Sequence, residues 1–186
     1  MQKIEIKALI SLFDKKAGSI INRATLNERL IYMNKVYFAC SWFSDSQTSY
    51  MNQGIELIKQ NKTIDWKYAF YPLDHQYKGF SIPDHPELLE DTEWQLGTFN
   101  GDMNGINSRD LIVAMYLPDE PDEGIAWELG YAYAIHKPMV LVVPNGKKKP
   151  VNLMPAMGAT KVITIDQLKD FDFNNVVYTP YTGQVY

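Results

Sequence analysis

The chain has 186 residues, a length that allows one well-buried domain and excludes two ordinary ones. Hydrophobic residues at 46% and charged residues at 22% are typical of a folded protein, and a net charge of -4 excludes the basic surface of a nucleic-acid partner. The single cysteine cannot form an internal disulfide, and neither a signal-peptide pattern nor a membrane-length apolar run of roughly 20 residues occurs. These features predict a soluble cytoplasmic protein without a membrane partner.

The composition changes near Met33. Residues 1–32 contain no motif and no aromatic cluster, and we interpret them as an N-terminal extension that adds no chemistry. A helical arm that packs on a partner subunit is the alternative. Residues 33–186 are the predicted functional domain.

Short β-rich runs alternate with stretches of helical period after Met33, which predicts an α/β fold with a mostly parallel, five-stranded sheet. The predicted strands are 35–40, 68–73, 110–117, 138–143 and 161–165. The predicted helices run from an Asp45 cap to about Gln60, over 87–103, over 122–134 and, briefly, over 166–171. The stretch "FNGDMNGIN" has two glycines and three asparagines, so the second helix is not expected to continue regularly beyond Asp102.

The third predicted helix carries an acid on its apolar face. At the helical step of about 100° per residue, Glu128 projects within roughly 60° of Ile125. A buried, unpaired carboxylate costs several kcal/mol, so Glu128 either pairs with a buried Arg or Lys or belongs to a functional site. Ligands of parallel α/β sheets bind beyond the carboxyl ends of the strands, and this helix follows a predicted strand, so Glu128 can face that cleft.

Two further acids are predicted at the same edge of the sheet. Asp122 is well placed as the N-cap of the third helix, and Asp102 lies at the predicted end of the second. Paired carboxylates in a cleft are typical of glycosyl transfer, with one acid as nucleophile on the anomeric carbon and another as proton donor to the leaving group. The aromatic pair Trp42 and Phe43 directly follows the first strand, where a planar ligand could stack.

Other chemistries have no support in the sequence. The three histidines lack the spacing of a zinc site, so no metal is expected; they are His75, His85 and His136. The patterns G-x-S-x-G, G-x-G-x-x-G and the Walker lysine loop are all missing, so no cofactor is expected.

Six separated motifs in order resemble the nucleoside 2-deoxyribosyltransferases, specifically the smaller lactobacillal-type enzymes that accept purines and pyrimidines. The motifs are "VYFACSWFSD", "YPLDHQYKG", "NGDMNGI", "PDEPDEGIAWELGYA", "KPVNLM" and "QLKDFDFN...YTGQVY". The resemblance implies a flavodoxin-like, three-layer fold. It also implies a retaining, ping-pong transfer of 2-deoxyribose from a deoxynucleoside to a free nucleobase in nucleotide salvage.

The resemblance also assigns roles to residues. Glu128 aligns with the family's nucleophile, and Tyr37 with the tyrosine whose hydroxyl orients that carboxylate. Asp102 and Asp122 align with acids that contact the nucleobase and handle its proton, and Gln76 aligns with a base-contacting glutamine.

Family members are oligomers, usually hexamers, in which a neighbouring subunit completes each site. The resemblance therefore implies a homohexamer in which Asn152 and Met154 reach across an interface to the sugar, with the terminal carboxylate of Tyr186 nearby. Three residues depart from the expected pattern: Cys40, Ser41 and Trp127.

Two other functions remain open at the sequence level. The nearest is an N-glycosidase that hydrolyses deoxynucleosides or their 5'-monophosphates. The loop "SWFSDSQ", with its bulky aromatics and an acid, disfavours the phosphate group that a monophosphate would bring. The other is a non-catalytic nucleotide-sensing module, which would leave the cluster of acids without a role.

Overall fold

The structure is a computed structural model that describes residues 32–82, 84–146 and 149–186. The predicted extension, residues 1–32, lies outside the described residues except for Tyr32. Within the described part of the chain, no helix combines the length and the apolar character required to cross a bilayer.

Four parallel strands form one sheet in the order β1-β2-β3-β4. Their bounds are β1 Val36–Ala39, β2 Leu111–Met115, β3 Met139–Val143 and β4 Lys161–Thr164. Every residue of β1, β2 and β3 is buried, because helices and loops cover both faces of the sheet. Continuous apolar runs are the sequence pattern of such strands, and all four lie within the predicted ranges.

The predicted strand 68–73 is not a strand, so the sheet has four strands instead of the expected five. Pro72, which has no N–H to donate, begins a helical turn at this point. Phe70 alone pairs with β1: its N–H donates to the Val36 carbonyl (2.9 Å), and its own carbonyl accepts from the Phe38 N–H (2.7 Å).

A second isolated bridge joins Asn34 to Ile64 in parallel on the same side of β1. The two bridged segments therefore occupy the position of an edge strand beside β1. If the two bridged segments are counted as one strand, that strand is the second along the chain and lies at the edge of the sheet beside β1. The strand order across the sheet is then 2-1-3-4-5, as in flavodoxin-like folds. The predicted three-layer α/β class is confirmed.

Four α-helices flank the sheet. They are α1 Asp45–Ile58, α2 Thr92–Ser108, α3 Glu123–Ala134 and α4 Leu153–Gly158. Short 3-10 turns cover Trp66–Tyr68, Pro72–Asp74, Tyr77–Gly79, Pro86–Glu90, Ile165–Gln167 and Phe173–Asn175. Ser44, one residue before the predicted Asp45, caps α1, and the six-residue helix α4 was not predicted.

The prediction that α2 becomes irregular after Asp102 is wrong, since the helix continues to Ser108. Its glycines serve packing on a neighbouring segment. A Cβ on Gly105 would lie 2.7 Å from the Phe70 ring, and one on Gly97 would lie 2.4 Å from the Tyr77 ring. The lack of side chains at these positions lets the segment between α1 and α2 lie directly against the helix.

Alternate residues of β1 face opposite layers of the fold. Val36 and Phe38 belong to the core beneath α1. Tyr37 and Ala39 belong to the core that α2, α3 and α4 cover. Tyr37 therefore points toward the helix that carries Glu128.

Candidate active site

The candidate site lies where β1 and β2 end side by side. In flavodoxin-like sheets this is the point at which the strand order reverses, and the loops that leave the two strands diverge there to form a crevice. The loop after β1 leads into α1, and the loop after β2 leads into α3. Side chains from both loops and from the neighbouring helices meet in this region.

A hydrogen bond between Tyr37 and Glu128 lies at the centre of the site. The Tyr37 hydroxyl donates to Glu128 Oε1 over 2.5 Å, joining β1 to the middle of α3. Burial raises the pKa of Glu128 to about 8, with smaller contributions from the charges of Asp102 and Asp122, and the bond from Tyr37 opposes that rise. Among the described residues, Glu128 is therefore held by a phenol, and no Arg or Lys pairs with it.

Asp102 on α2 is the second acid of the site. Burial raises its pKa to about 7, and its charge acts on both Glu128 and Tyr37. Its Oδ1 is buried and has no hydrogen-bond partner among the described residues. A carboxyl group in this state can carry a proton near neutral pH and present it to a ligand.

Asp122 caps α3 as the sequence predicts. Its Oδ1 accepts the Ile125 N–H at 2.8 Å, which fixes the first turn of the helix that carries Glu128. The charge of Asp122 raises the pKa of Glu128 and contributes to the raised pKa of the Cys40 thiol, for which burial is the main cause. The three predicted acids are thus close enough to interact electrostatically.

The other predicted base-binding residues are Gln76, Trp42 and Phe43, and each makes contacts of its own. Gln76 is buried, and its Oε1 accepts the Ile82 N–H at 3.1 Å. The rings of Trp42 and Phe43 contact each other with centroids 5.1 Å apart, and Phe43 is 73% exposed. Among the described residues, none of these three side chains hydrogen-bonds to an acid of the cluster.

The three residues predicted near the sugar line a separate groove between α3 and α4, with a volume of about 670 Å³. Asn152 caps α4 by accepting the Met154 N–H at 3.0 Å, and the Leu153 N–H donates to the Tyr186 carbonyl at 3.0 Å. Asp122 also lines this groove, so it links the groove to the acid cluster.

Two residues of the site were not predicted. Glu120 accepts hydrogen bonds from the hydroxyls of Ser44 (2.6 Å) and Ser46 (2.5 Å), which ties the loop after β2 to the start of α1. Tyr116, buried at the floor of the groove, contacts Tyr186, and burial together with that contact raises its pKa to about 12. A short acidic loop and an aromatic residue at a strand end are too common to single out from sequence.

The protein thus has an α/β fold in which three carboxyl groups gather at the carboxyl ends of the strands. The family model described as nucleoside 2-deoxyribosyltransferase matches residues 36–154. The nucleoside deoxyribosyltransferase of Lactobacillus leichmannii is 43% identical over 152 residues, which are 81% of this chain and 97% of that protein. Its counterpart from Lactobacillus johnsonii is 38% identical over 146 residues, 78% of this chain and 98% of that protein.

A solved structure of a 2-deoxyribosyltransferase from Bacillus psychrosaccharolyticus superimposes with a TM-score of 0.65 at 23% identity, covering 79% of this chain and 98% of that one. This likeness supports the fold. The chain belongs to the nucleoside 2-deoxyribosyltransferase family, as the resemblance predicted. Members of this family are pentosyltransferases, and deoxyribose transfer is their shared reaction.

Proposed function

We propose that this protein transfers 2-deoxyribose from a 2'-deoxynucleoside to a free purine or pyrimidine base through a covalent intermediate on Glu128. The observation that carries the proposal is the 2.5 Å bond from the Tyr37 hydroxyl to Glu128 beside the raised-pKa carboxyl of Asp102. Glu128 is oriented by a donor, and Asp102, with a pKa of about 7, can hold and release a proton near neutrality; glycosyl transfer requires two acids with these separate roles. Because the pKa of Glu128 is the higher of the two, the reactive form with ionised Glu128 and protonated Asp102 is a minor one.

In the first half-reaction, an oxygen of ionised Glu128 forms a bond to the anomeric carbon of the sugar. The bond from that carbon to the base nitrogen breaks, and its electron pair goes to the base. Protonated Asp102 donates its proton to the departing base, which makes the base a better leaving group. The hydrogen bond from Tyr37 occupies one carboxylate oxygen, so the other is free to attack.

In the second half-reaction, a nitrogen of the incoming base attacks the same carbon and Glu128 leaves as a carboxylate. The proton of the incoming base passes to Asp102, which restores the starting state. Two successive inversions give net retention of configuration. Asp122 and Gln76 contact the base, and Trp42 and Phe43 provide an aromatic wall beside it.

Product analysis tests this proposal. The purified protein is incubated with deoxyinosine and free cytosine, and the products are separated by chromatography. Deoxycytidine together with hypoxanthine is the expected result, and a deoxyribosyl adduct on the peptide that contains Glu128 is expected in mass spectra when no acceptor is added. Hypoxanthine and free deoxyribose alone would indicate a hydrolase, and unchanged substrate would indicate a binding module.

The contacts of Glu120 disfavour hydrolysis of a 5'-monophosphate. Its carboxylate already accepts bonds from Ser44 and Ser46 at the start of α1, where hydroxyls and the helix dipole would otherwise favour a phosphate. A second anion at this position would meet electrostatic repulsion. The unphosphorylated deoxynucleoside is therefore the better substrate for this site.

The active form is proposed to be a homohexamer in which Asn152, Met154 and Tyr186 of one subunit complete the site of another. Met154 is 77% exposed and Tyr186 61% exposed in the single chain, so both are available to a second subunit. Glu128→Ala, which is expected to be inactive, and Asn152→Ala, assayed at a deoxynucleoside concentration too low for its weakened binding, are mixed under conditions that allow subunit exchange. Recovery of activity supports shared sites, whereas activity of a verified monomer at high dilution contradicts them.

Residues 33–186 are proposed to be the catalytic domain, with 1–32 as an extension that supplies no catalytic group. The family model and the residues of the candidate site all fall within this range. A chain that starts at Met33 should keep the turnover number of the full chain. A large loss of turnover would assign the extension a role in assembly or catalysis.

A further inference from the structure

Phe70 lies face to face with the tyrosine that holds the proposed nucleophile. The rings of Phe70 and Tyr37 are 5.5 Å apart between centroids, and their planes differ by only 13°. Phe70 is 8% exposed and belongs to the same core as Tyr37. The ring is therefore a direct, buried neighbour of the phenol that donates to Glu128.

The backbone of Phe70 is fixed to β1 on both sides of Tyr37. Its N–H donates to the carbonyl of Val36, and its carbonyl accepts the N–H of Phe38, at 2.9 Å and 2.7 Å. These bonds make Phe70 the parallel partner of Tyr37 although the surrounding residues form no strand. The position of the Phe70 ring along β1 is thus determined by the backbone.

Other groups hold the ring in place. The His75 ring stacks on it with centroids 4.3 Å apart, and the Arg109 guanidinium lies 5.8 Å from its centre. Gly105 of α2 leaves no spare space, because a Cβ there would lie 2.7 Å from the ring. A side chain that is enclosed in this way cannot change rotamer without displacing the helix.

We propose that Phe70 is a positioning residue for glycosyl transfer, one that sets the plane of the Tyr37 ring so that its hydroxyl donates to Glu128. This inference rests on the proposed function of Glu128. Phe70 acts through Tyr37 and does not contact the reacting atoms. Without the flat surface of Phe70, the phenol ring samples other orientations and the hydrogen bond to Glu128 is formed for less of the time.

The consequence for Glu128 has a defined sign. The bond from Tyr37 lowers the pKa of Glu128 against the larger effect of burial. Weakening that bond therefore raises the pKa, so that less of the ionised nucleophile is present at neutral pH. Because Glu128 has the higher pKa of the two acids, a loss of Phe70 should lower the maximum of the kcat/KM profile and shift its alkaline limb to higher pH, in the same direction as a loss of the Tyr37 hydroxyl.

A double-mutant cycle tests the inference, because a residue that acts through Tyr37 loses its effect when the hydroxyl is missing. Phe70→Leu is made in the natural chain and in Tyr37→Phe. We expect kcat to fall about tenfold in the natural chain, the loss typical of one weakened hydrogen bond to a charged group. In Tyr37→Phe the same change should alter kcat by less than about twofold. Phe70→Tyr, which keeps the ring, should restore most of the activity.

Phe38→Leu is the matched control. It removes a ring of the same size from the residue that follows Tyr37 on β1, on the opposite face of the sheet, where Phe38 meets Trp66 edge to face. This variant should lose stability without a shift of the pH profile. If Phe70→Leu does not fold, Phe70→Met, whose unbranched and flexible side chain can adapt to the space of the ring, takes its place in the cycle.

Equal losses of kcat from Phe70→Leu in both backgrounds, or a pH profile that does not move, would show a purely structural role and overturn the inference. A different result identifies a failure of the proposed function itself. If Glu128→Ala and Tyr37→Phe both retain normal turnover, the nucleophile assignment is wrong, and the inference about Phe70 is wrong with it.

Discussion

The acid cluster and the groove between α3 and α4 differ in how completely a single chain builds them. Tyr37 is fully buried and bonded to Glu128, and Phe70 covers its ring. Met154 and Tyr186, at the groove, expose most of their side chains. The proposed reacting groups thus have fixed positions within one chain, whereas the groove residues have open surfaces that the proposed second subunit can cover.

Mutations in the two regions should therefore affect different kinetic constants. A change within the cluster alters groups whose geometry and protonation matter for the reaction itself, so it should appear in kcat and in the pH profile. A change at the groove alters binding surface, so it should appear mainly in KM and in assembly. The following predictions test that separation.

The largest effect is expected from the loss of the nucleophile. Glu128→Ala should lower kcat by at least about 10⁴-fold, because the proposed mechanism places the glycosyl intermediate on this carboxylate. Circular dichroism and gel filtration check that the fold and assembly persist. Glu56→Ala, which removes an exposed glutamate from helix α1, is the control and should leave kcat unchanged. Near-normal turnover in Glu128→Ala would contradict the assignment.

Asp102→Asn should lower kcat by about 10²-fold, since the leaving base loses its proton donor. The proposed mechanism needs ionised Glu128 and protonated Asp102, whose pKa values are raised to about 8 and about 7. The profile of kcat/KM should therefore be a bell with its maximum between pH 7 and 8, and its two limbs belong to the pair of acids. The alkaline limb should disappear in the variant, and its persistence would assign the proton to another group.

A smaller effect concerns stability. A carboxyl whose pKa is raised on folding stabilises the protein below its unfolded-state pKa, and that contribution is lost as pH rises through the folded-state value. For Glu128 the loss spans the range from about 4.5 to about 8. Glu128→Gln should therefore raise the free energy of unfolding by on the order of 2 kcal/mol at pH 8 and by less at pH 5. Urea denaturation at both pH values measures the difference, and equal effects would contradict it.

The smallest effect is expected at the groove. Met154→Ala should raise KM about fivefold and leave kcat within about twofold, because it removes apolar contact area and no reacting group. Steady-state kinetics at a concentration that preserves the oligomer measures both constants. A large fall in kcat with an unchanged KM would indicate that Met154 acts in the reaction itself. It would contradict the expectation that the acid cluster affects kcat and the groove affects KM.

The sequence predicted those parts of the molecule in which local pattern and tertiary structure agree. The apolar runs of β1 to β4 and the Asp122 cap of α3 belong to this group. The strand predicted at 68–73 is wrong. Residues that favour β structure surround Pro72, but the segment forms only one bridge to β1. The predicted irregularity of α2 beyond Asp102 is wrong because the close packing that its glycines allow outweighs their low helix propensity.

The site shows the same division. Glu128 was predicted as a site residue because an acid interrupts the apolar face of its helix. Tyr37 was predicted because the motif that contains it resembles a known family. The role of Glu120 depends on two serine hydroxyls more than 70 positions away, and that of Phe70 on a ring contact across 33 positions. Neither contact leaves a periodic or compositional trace in the sequence.

The glycines on α2 have a consequence for anyone who wishes to alter base preference. Gly97 meets Tyr77, Gly105 meets Phe70, and Asp102 lies on the helix between them. The loop that carries Gln76 therefore cannot be remodelled independently of the proton donor. Libraries that vary this loop should keep both glycines and the rings that rest on them, because a bulkier helix would displace Asp102 as it displaced the loop.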